Sequence, residues 1–183
     1  MKNIIHTTCA LAFAASLALG GQAFATSPPA YKMLSTTMQN AESKETGSIL
    51  ITEGLNGGLL ISVDMKGLEP GWRALHIHGT GDCSDHTDHF KKAGGHASSE
   101  NQDHGFMNEK GPHMGDLPNI WVAADGTVKA QFFTTQLKLA DLQDADGASF
   151  MIHADADDYI STPAGNAGTR LACGVIGQTS GAK

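Results

Sequence analysis

The chain has 183 residues, room for one ordinary domain around a single hydrophobic core, since compact domains usually run to roughly 100–200 residues. Its formal net charge of -7, from 12 Lys and Arg against 19 Asp and Glu, argues against a nucleic-acid binder, which needs a basic face to neutralise phosphates. The same acidity keeps the surface soluble and repels anions on average, so an anionic substrate would require positive charge placed locally at its site.

Residues 1–25 read as a secretory signal. Lys2 stands near the start, the apolar run from Cys9 to Leu19 is interrupted only by Ser16, and Ala23-Phe24-Ala25 gives a small-x-small cleavage pattern. The run is shorter than the roughly 20 residues that a spanning helix needs, and no second apolar stretch of that length follows. The mature chain, residues 26–183, is therefore expected as one soluble domain without membrane association, in the periplasm or, in a host without one, secreted. Loss of the signal removes Cys9 and leaves Cys83 and Cys173 as the only thiols. In an oxidising compartment one bridge is the natural reading, and two separately buried free cysteines are the alternative.

Beyond Ser27-Pro28-Pro29 the chain alternates short β-type segments with Gly, Asn, Asp and Pro, and no long stretch has helical period. The predicted strands are Tyr31–Thr37, Gly47–Thr52, Gly58–Met65, Trp72–His78, Ile120–Ala123, Val128–Thr134, Ser149–His153 and Leu171–Val175. Asn56-Gly57-Gly58, Glu69-Pro70-Gly71 and Asp125-Gly126 supply the turns between them, the last as a tight hairpin. Eight short antiparallel strands predict an all-β barrel or sandwich. Two stretches break the rhythm, and long loops in compact domains are usually functional or disordered. Residues 79–119 are polar and carry Cys83, His86, His89, His96, His104 and His113, and residues 155–168 form a shorter loop. The segment from Leu137 to Leu142 reads as a brief helical turn or a loop plug.

His76-Ile77-His78 ends a predicted strand, and alternation along a strand sends both imidazoles to the same side. Alone this is an ordinary histidine pair. Its weight comes from accumulation with His96 after Gly94-Gly95, His104 and His113 in the same loop, Asp116 after Gly115, and His153 at the end of a distant apolar strand. Imidazoles suit copper and zinc, and a carboxylate among three of them makes a plausible tetrahedral zinc shell.

These residues carry a family resemblance. His76-Ile77-His78, Gly94-Gly95-His96, His113-Met114-Gly115-Asp116-Leu117-Pro118, Ile152-His153-Ala154 and the run from Gly165 to Ile176 resemble copper/zinc superoxide dismutase of the exported bacterial type, in family order and over nearly the whole mature chain. The resemblance implies an eight-stranded Greek-key β-barrel and one copper and one zinc per subunit. It assigns His76, His78, His96 and His153 to copper and His96, His104, His113 and Asp116 to zinc, with His96 bridging. Asp103 and Glu109 lie close to His104 and are its competitors. Asp157 corresponds to a carboxylate that bonds the outer nitrogens of one histidine from each metal, with Asp155 and Asp158 as neighbouring alternatives. Cys83 and Cys173 match the family disulfide, and Arg170 matches an arginine that attracts and orients the anion.

The implied reaction converts two superoxide anions to dioxygen and hydrogen peroxide, by copper cycling between Cu(II) and Cu(I) and proton delivery at His96, as a defence against oxidative stress outside the cytoplasm. His86 and His89 match no role and are expected as exposed loop histidines. The 155–168 loop carries no lysine, so Lys91, Lys92 or Lys110 would have to do any steering beyond Arg170, although they equally fit ordinary solvated charges. A homodimer is compatible with the sequence, which carries no sign of oligomeric state. Two other readings compete: a metal-binding protein on the same barrel without turnover, and a zinc hydrolase, which would need an open zinc position that three histidines and Asp116 would close.

Overall fold

The computed structural model describes residues 31–177; the predicted signal, including Cys9, lies outside them. The described chain is all-β. Nine strands form, β1 (Met33–Asn40), β2 (Glu45–Glu53), β3 (Leu59–Met65), β4 (Gly71–Arg73), β5 (Leu75–His78), β6 (Ile120–Val122), β7 (Val128–Thr134), β8 (Ser149–His153) and β9 (Arg170–Val175). Seven of them make one antiparallel sheet in the order β5-β8-β9-β1-β2-β3-β7, and β4 pairs with β6. Because β4 runs into β5 at one sheet edge and β6 turns into β7 at the other, the small pair links the two edges of the large sheet. That is a Greek-key barrel wall.

The predicted strand Trp72–His78 is one bent strand whose partner changes at Ala74. Before the bend Gly71–Arg73 pair with β6; after it Leu75–His78 pair with β8. Ala74 turns the corner with its N–H on the Asp155 carbonyl at 2.8 Å and its own carbonyl taking the His153 N–H at 3.0 Å. Counting β4 and β5 together gives the eight strands expected. The first predicted strand is displaced, since β1 begins at Met33 and continues to Asn40.

Alternation builds the core. In β3, Leu59, Ile61, Val63 and Met65 point inward while Leu60 and Asp64 face solvent. They meet Ile49 and Ile51 of β2, Leu75 and Ile77 of β5, and Phe150 and Ile152 of β8. Each such aliphatic side chain contributes roughly 1.5–3 kcal/mol by burial. Leu137, Leu139 and Leu142 are also buried around a 3-10 turn at Leu139–Leu142, so this segment is a plug on the core.

The turns use the residues that the sequence offers. Gly57 and Gly126 adopt left-handed φ of 80° and 78°, and Asp125 caps its hairpin by accepting the Thr127 N–H and hydroxyl at 3.0 and 2.7 Å.

What sets β5 and β8 apart is that every residue in both is buried. One face packs in the barrel. The other is roofed by the two long loops, which leaves a closed compartment on the outside of the wall.

Candidate metal centre

The long loop is stitched to the free edge of β5. Ile77 donates its N–H to the Gly115 carbonyl and accepts from the Ala97 N–H, both at 2.8 Å, and the Gly79 N–H reaches the Gly95 carbonyl at 3.0 Å. This pairing sets His96 opposite His78 and Asp116 opposite His76. Gly115 is required here, because a Cβ at that position would strike the Ile77 carbonyl.

His76 and His78 point outward from β5, as the period of two demands, and His153 comes from β8 alongside. With His96 they form a group in which one ligand-type atom from each lies within 4.8 Å of the others. The outer nitrogens are all engaged: His76 Nε2 with Asp157 Oδ2 at 2.8 Å, His78 Nδ1 with the Gly94 carbonyl at 2.9 Å, His153 Nδ1 with the Gly168 carbonyl at 3.2 Å, and His96 Nδ1 with Asp116 Oδ1 at 2.9 Å. The other nitrogens, His76 Nδ1, His78 Nε2, His96 Nε2 and His153 Nε2, are buried and have no hydrogen-bond partner. Buried polar atoms are rarely left this way, and four in one compartment mark a place for a cation that takes lone pairs. A carbonyl or carboxylate on the outer N–H fixes the tautomer and aims the lone pair inward.

A second group gathers on Asp116. Its Oδ1 lies 2.9 Å from His96 Nδ1, 2.9 Å from His104 Nδ1 and 3.6 Å from His113 Nδ1, and the last two-nitrogen distance, His113 to His96, is 3.4 Å. Ligand atoms at tetrahedral zinc stand about 3.3 Å apart, and these four spacings are of that size. Asp116 Oδ2 accepts the N–H groups of Gly105 and His113, which orients the carboxylate. The second set whose ligand-type atoms all lie within 4.8 Å of one another is His76, His96, His104 and Asp116, and His113 stands outside it; the Nε2 of His76 is held by Asp157, and its Nδ1 faces the first group. His113 stands at the rim, 13% exposed. His96 and His76 each contribute to both sets, and His96 does so with Nδ1 beside Asp116 and an unpartnered Nε2 on the other side of its ring. Glu109 is exposed, and Asp103 does not enter either set.

Asp157 ties the groups together, Oδ2 to His76 and Oδ1 to His104 Nε2 at 2.9 Å. Asp155 and Asp158 are exposed; Asp158 caps its own loop at Ile160 and Ser161. Gly165 is the other glycine that the site needs. It has a left-handed φ of 63°, and a Cβ there would collide with the Asp157 carboxylate.

The electrostatics favour lone pairs on one side and charge on the other. Burial, reinforced by neighbouring imidazoles, pushes His76 down to about 4, His153 to about 3 and His78 well below its ordinary value. Burial opposes a charge on His104 too, but hydrogen bonds to Asp116 and Asp157 outweigh it and lift the imidazole to about 9. Those same bonds overcome burial and hold both carboxyls well below the usual carboxylate range. Without metal, a proton on His104 offsets the buried carboxylates.

Arg170 is half-buried, with Nη1 on the Phe90 carbonyl at 2.7 Å and Nη2 on the Gly94 carbonyl at 2.6 Å. The backbone acceptors at Phe90, Gly94 and Gly168 were invisible to sequence reading, since any residue carries a carbonyl; the only hint was Gly94-Gly95 before His96. Cys83 and Cys173 are joined, with Cα atoms 5.8 Å apart, and a small second core of Phe90, Ala93, Met151 and Cys173 sits beside the bridge. His89 is exposed and outside both groups. His86 corrects an expectation: it is half-buried, its ring packs edge-on to Phe90, and its Nδ1 is shielded from solvent. Lys91 is paired with Asp88 at 2.7 Å and Lys92 donates to the Ser84 hydroxyl at 3.1 Å.

The family model for copper/zinc superoxide dismutase matches residues 45–176. The chain is 42% identical over 142 residues to a Cu-Zn superoxide dismutase of Caulobacter vibrioides, covering 74% of this chain and 80% of that one. Among solved structures it superposes on a superoxide dismutase-like protein from Bacillus subtilis with a TM-score of 0.72 at 38% identity, over 80% of this chain and 99% of the other. The Cu/Zn superoxide dismutase from Brucella abortus gives 0.66 at 33% identity, over 79% and 99%.

Proposed function

The chain belongs to the copper/zinc superoxide dismutase family, and from that premise we propose how its residues divide the work. The protein is a superoxide dismutase, turning two superoxide anions and two protons into dioxygen and hydrogen peroxide with copper and zinc as cofactors. His76, His78, His96 and His153 hold copper; His96, His104, His113 and Asp116 hold zinc. The observation that carries this reading is the set of four buried, unpartnered imidazole nitrogens facing one another. Bound there, copper supplies a one-electron couple that can take an electron from one superoxide and return it to the next. Zinc has no accessible redox change, so an ion held by these four residues would fix His96 in place and balance the charge of Asp116.

The remaining steps belong to the protein. Arg170, fixed by two carbonyls, presents positive charge to an anion in an otherwise acidic molecule, and such local focusing can raise association rates by roughly 10–1000-fold. His96 Nε2 has no protein partner, and because His96 is the ligand assigned to both metals, its Nε2 is the atom assigned here to hold a proton and pass it to a reduced oxygen species. Asp157 and the Gly94 and Gly168 carbonyls keep the other three copper histidines in one tautomer.

Residues 1–25 act as a cleaved signal that delivers residues 26–183 to the periplasm. The Ala23-Phe24-Ala25 pattern and the Cys83–Cys173 bridge, which persists in oxidising compartments, support this placement.

The test is superoxide dismutation by the mature chain loaded with copper and zinc, beside His153→Ala prepared identically. Fast turnover lost in the variant is the expected result. Metal bound at both sites without turnover would leave a metal-binding protein on this scaffold.

A further inference from the structure

Asp157 can serve two histidines only if its backbone is held still, and the structure shows what holds it. Asn119, the residue just before β6, turns its side-chain amide onto the main chain of Asp157: Oδ1 accepts the Asp157 N–H at 2.8 Å and Nδ2 donates to the Asp157 carbonyl at 2.9 Å. One side chain thus satisfies both peptide groups, as a paired strand would. The Asn119 N–H donates to the Tyr159 hydroxyl at 2.7 Å, and the Tyr159 N–H donates to Asp157 Oδ1, also at 2.7 Å.

Tyr159 is itself fixed. It sits at φ 63°, a left-handed conformation uncommon for a residue other than glycine, with its ring 5.3 Å from that of Phe106 and its carbonyl taking the Met107 N–H at 3.0 Å. The ring therefore joins the 155–168 loop to the loop that carries His104.

We propose that Asn119, with Tyr159 as its brace, is the positioning element that sets the relation between the two metal sites. Neither residue is placed among the ligands. Asn119 anchors Asp157 to the start of a barrel strand, and Asp157 passes that position to His76 on one side and His104 on the other. Loosening Asn119 therefore disturbs both sites at once, although it lies within one loop junction.

This inference rests on the ligand assignment above, and its test separates the two. Cobalt(II) serves as the probe of the zinc site, read by its tetrahedral visible bands and by chelator competition, and copper(II) is read by electron paramagnetic resonance. The mature chain is compared with Asn119→Ala, Tyr159→Phe and His113→Ala. If Asn119 positions Asp157, Asn119→Ala weakens cobalt binding by about 10–100-fold, the range for losing an outer partner of a metal ligand, and changes the copper spectrum. Tyr159→Phe, which deletes one hydroxyl and keeps the ring, weakens it by about 3–10-fold. Cobalt affinity within twofold of the parent in Asn119→Ala, with an unchanged copper spectrum and a lower melting temperature, would show a merely structural residue and overturn the proposal. Should Asn119→Ala not fold, unchanged affinity in Tyr159→Phe overturns it instead. Tetrahedral cobalt bands that survive His113→Ala intact would reject the zinc assignment itself, and the inference with it.

Discussion

His78 and Arg170 meet on one atom: the Gly94 carbonyl accepts from His78 Nδ1 at 2.9 Å and from Arg170 Nη2 at 2.6 Å. A histidine of the four-imidazole group and the guanidinium proposed to receive the anion are thereby registered to a single peptide group. Gly94 can offer that carbonyl because it adopts φ 72° and ψ -151°, a region open essentially to glycine alone.

Gly94→Ala should therefore act on both partners at once. The substitution costs about 1–3 kcal/mol in backbone strain, and relief of that strain rotates the carbonyl away. The expected outcome is a lower melting temperature together with weaker binding of azide, an anion probe, to the copper-loaded protein. Azide affinity equal to the parent would show that the shared carbonyl is not what places Arg170.

Arg170→Lys should lower activity although it keeps the charge, because an ammonium cannot span the Phe90 and Gly94 carbonyls as the planar guanidinium does. A loss of roughly tenfold or more is expected, with the dependence on ionic strength kept because the charge is kept. Steady-state superoxide decay at two salt concentrations checks it, and a variant as fast as the parent would remove Arg170 from the anion path.

The metal-free protein should be most stable near pH 6.5. His76 and His153 are lowered on folding, so as pH falls below 6.5 the unfolded chain binds protons first and stability drops, by about 3 kcal/mol for His76 alone once pH passes 4. The depressed carboxyls of Asp116 and Asp157 add a further loss below their ordinary range. His104 is raised to about 9, so the stability it contributes is complete below 6.5 and disappears as pH climbs through 9. Urea unfolding after chelation, from pH 4 to 10, should trace this dome, and zinc should abolish the alkaline decline by taking the place of the His104 proton. A maximum at pH 9 without metal would contradict the scheme.

Cleaving Cys83–Cys173 should cost about 4.6 kcal/mol, because the bridge spans 90 residues and its closure removes that loop's freedom from the unfolded chain. Denaturant midpoints with and without a reductant measure it. Reduction should also loosen Phe90, packed beside Cys173, and with it one of the two carbonyls on Arg170. A midpoint unmoved by complete reduction would show that the bridge contributes little.

Residue type and period were enough to establish an all-β chain, barrel or sandwich, and to nominate candidate metal ligands; the family resemblance narrowed the fold to a Greek-key barrel and divided the ligands between two metals. Alternation in segments such as Leu59–Met65 dictates which face is buried, and His76-Ile77-His78 must present two imidazoles to one side because side chains on a strand repeat every two residues. Strand order, the change of partners at Ala74 and the union of His96, Asp116, His104 and His153 with that pair were decided by tertiary structure alone. So were the peptide carbonyls of Gly94 and Gly168 and the grip of Asn119 on Asp157. A local pattern encodes the direction of a side chain, whereas the partner of a backbone group depends on which distant segment the packing brings to it.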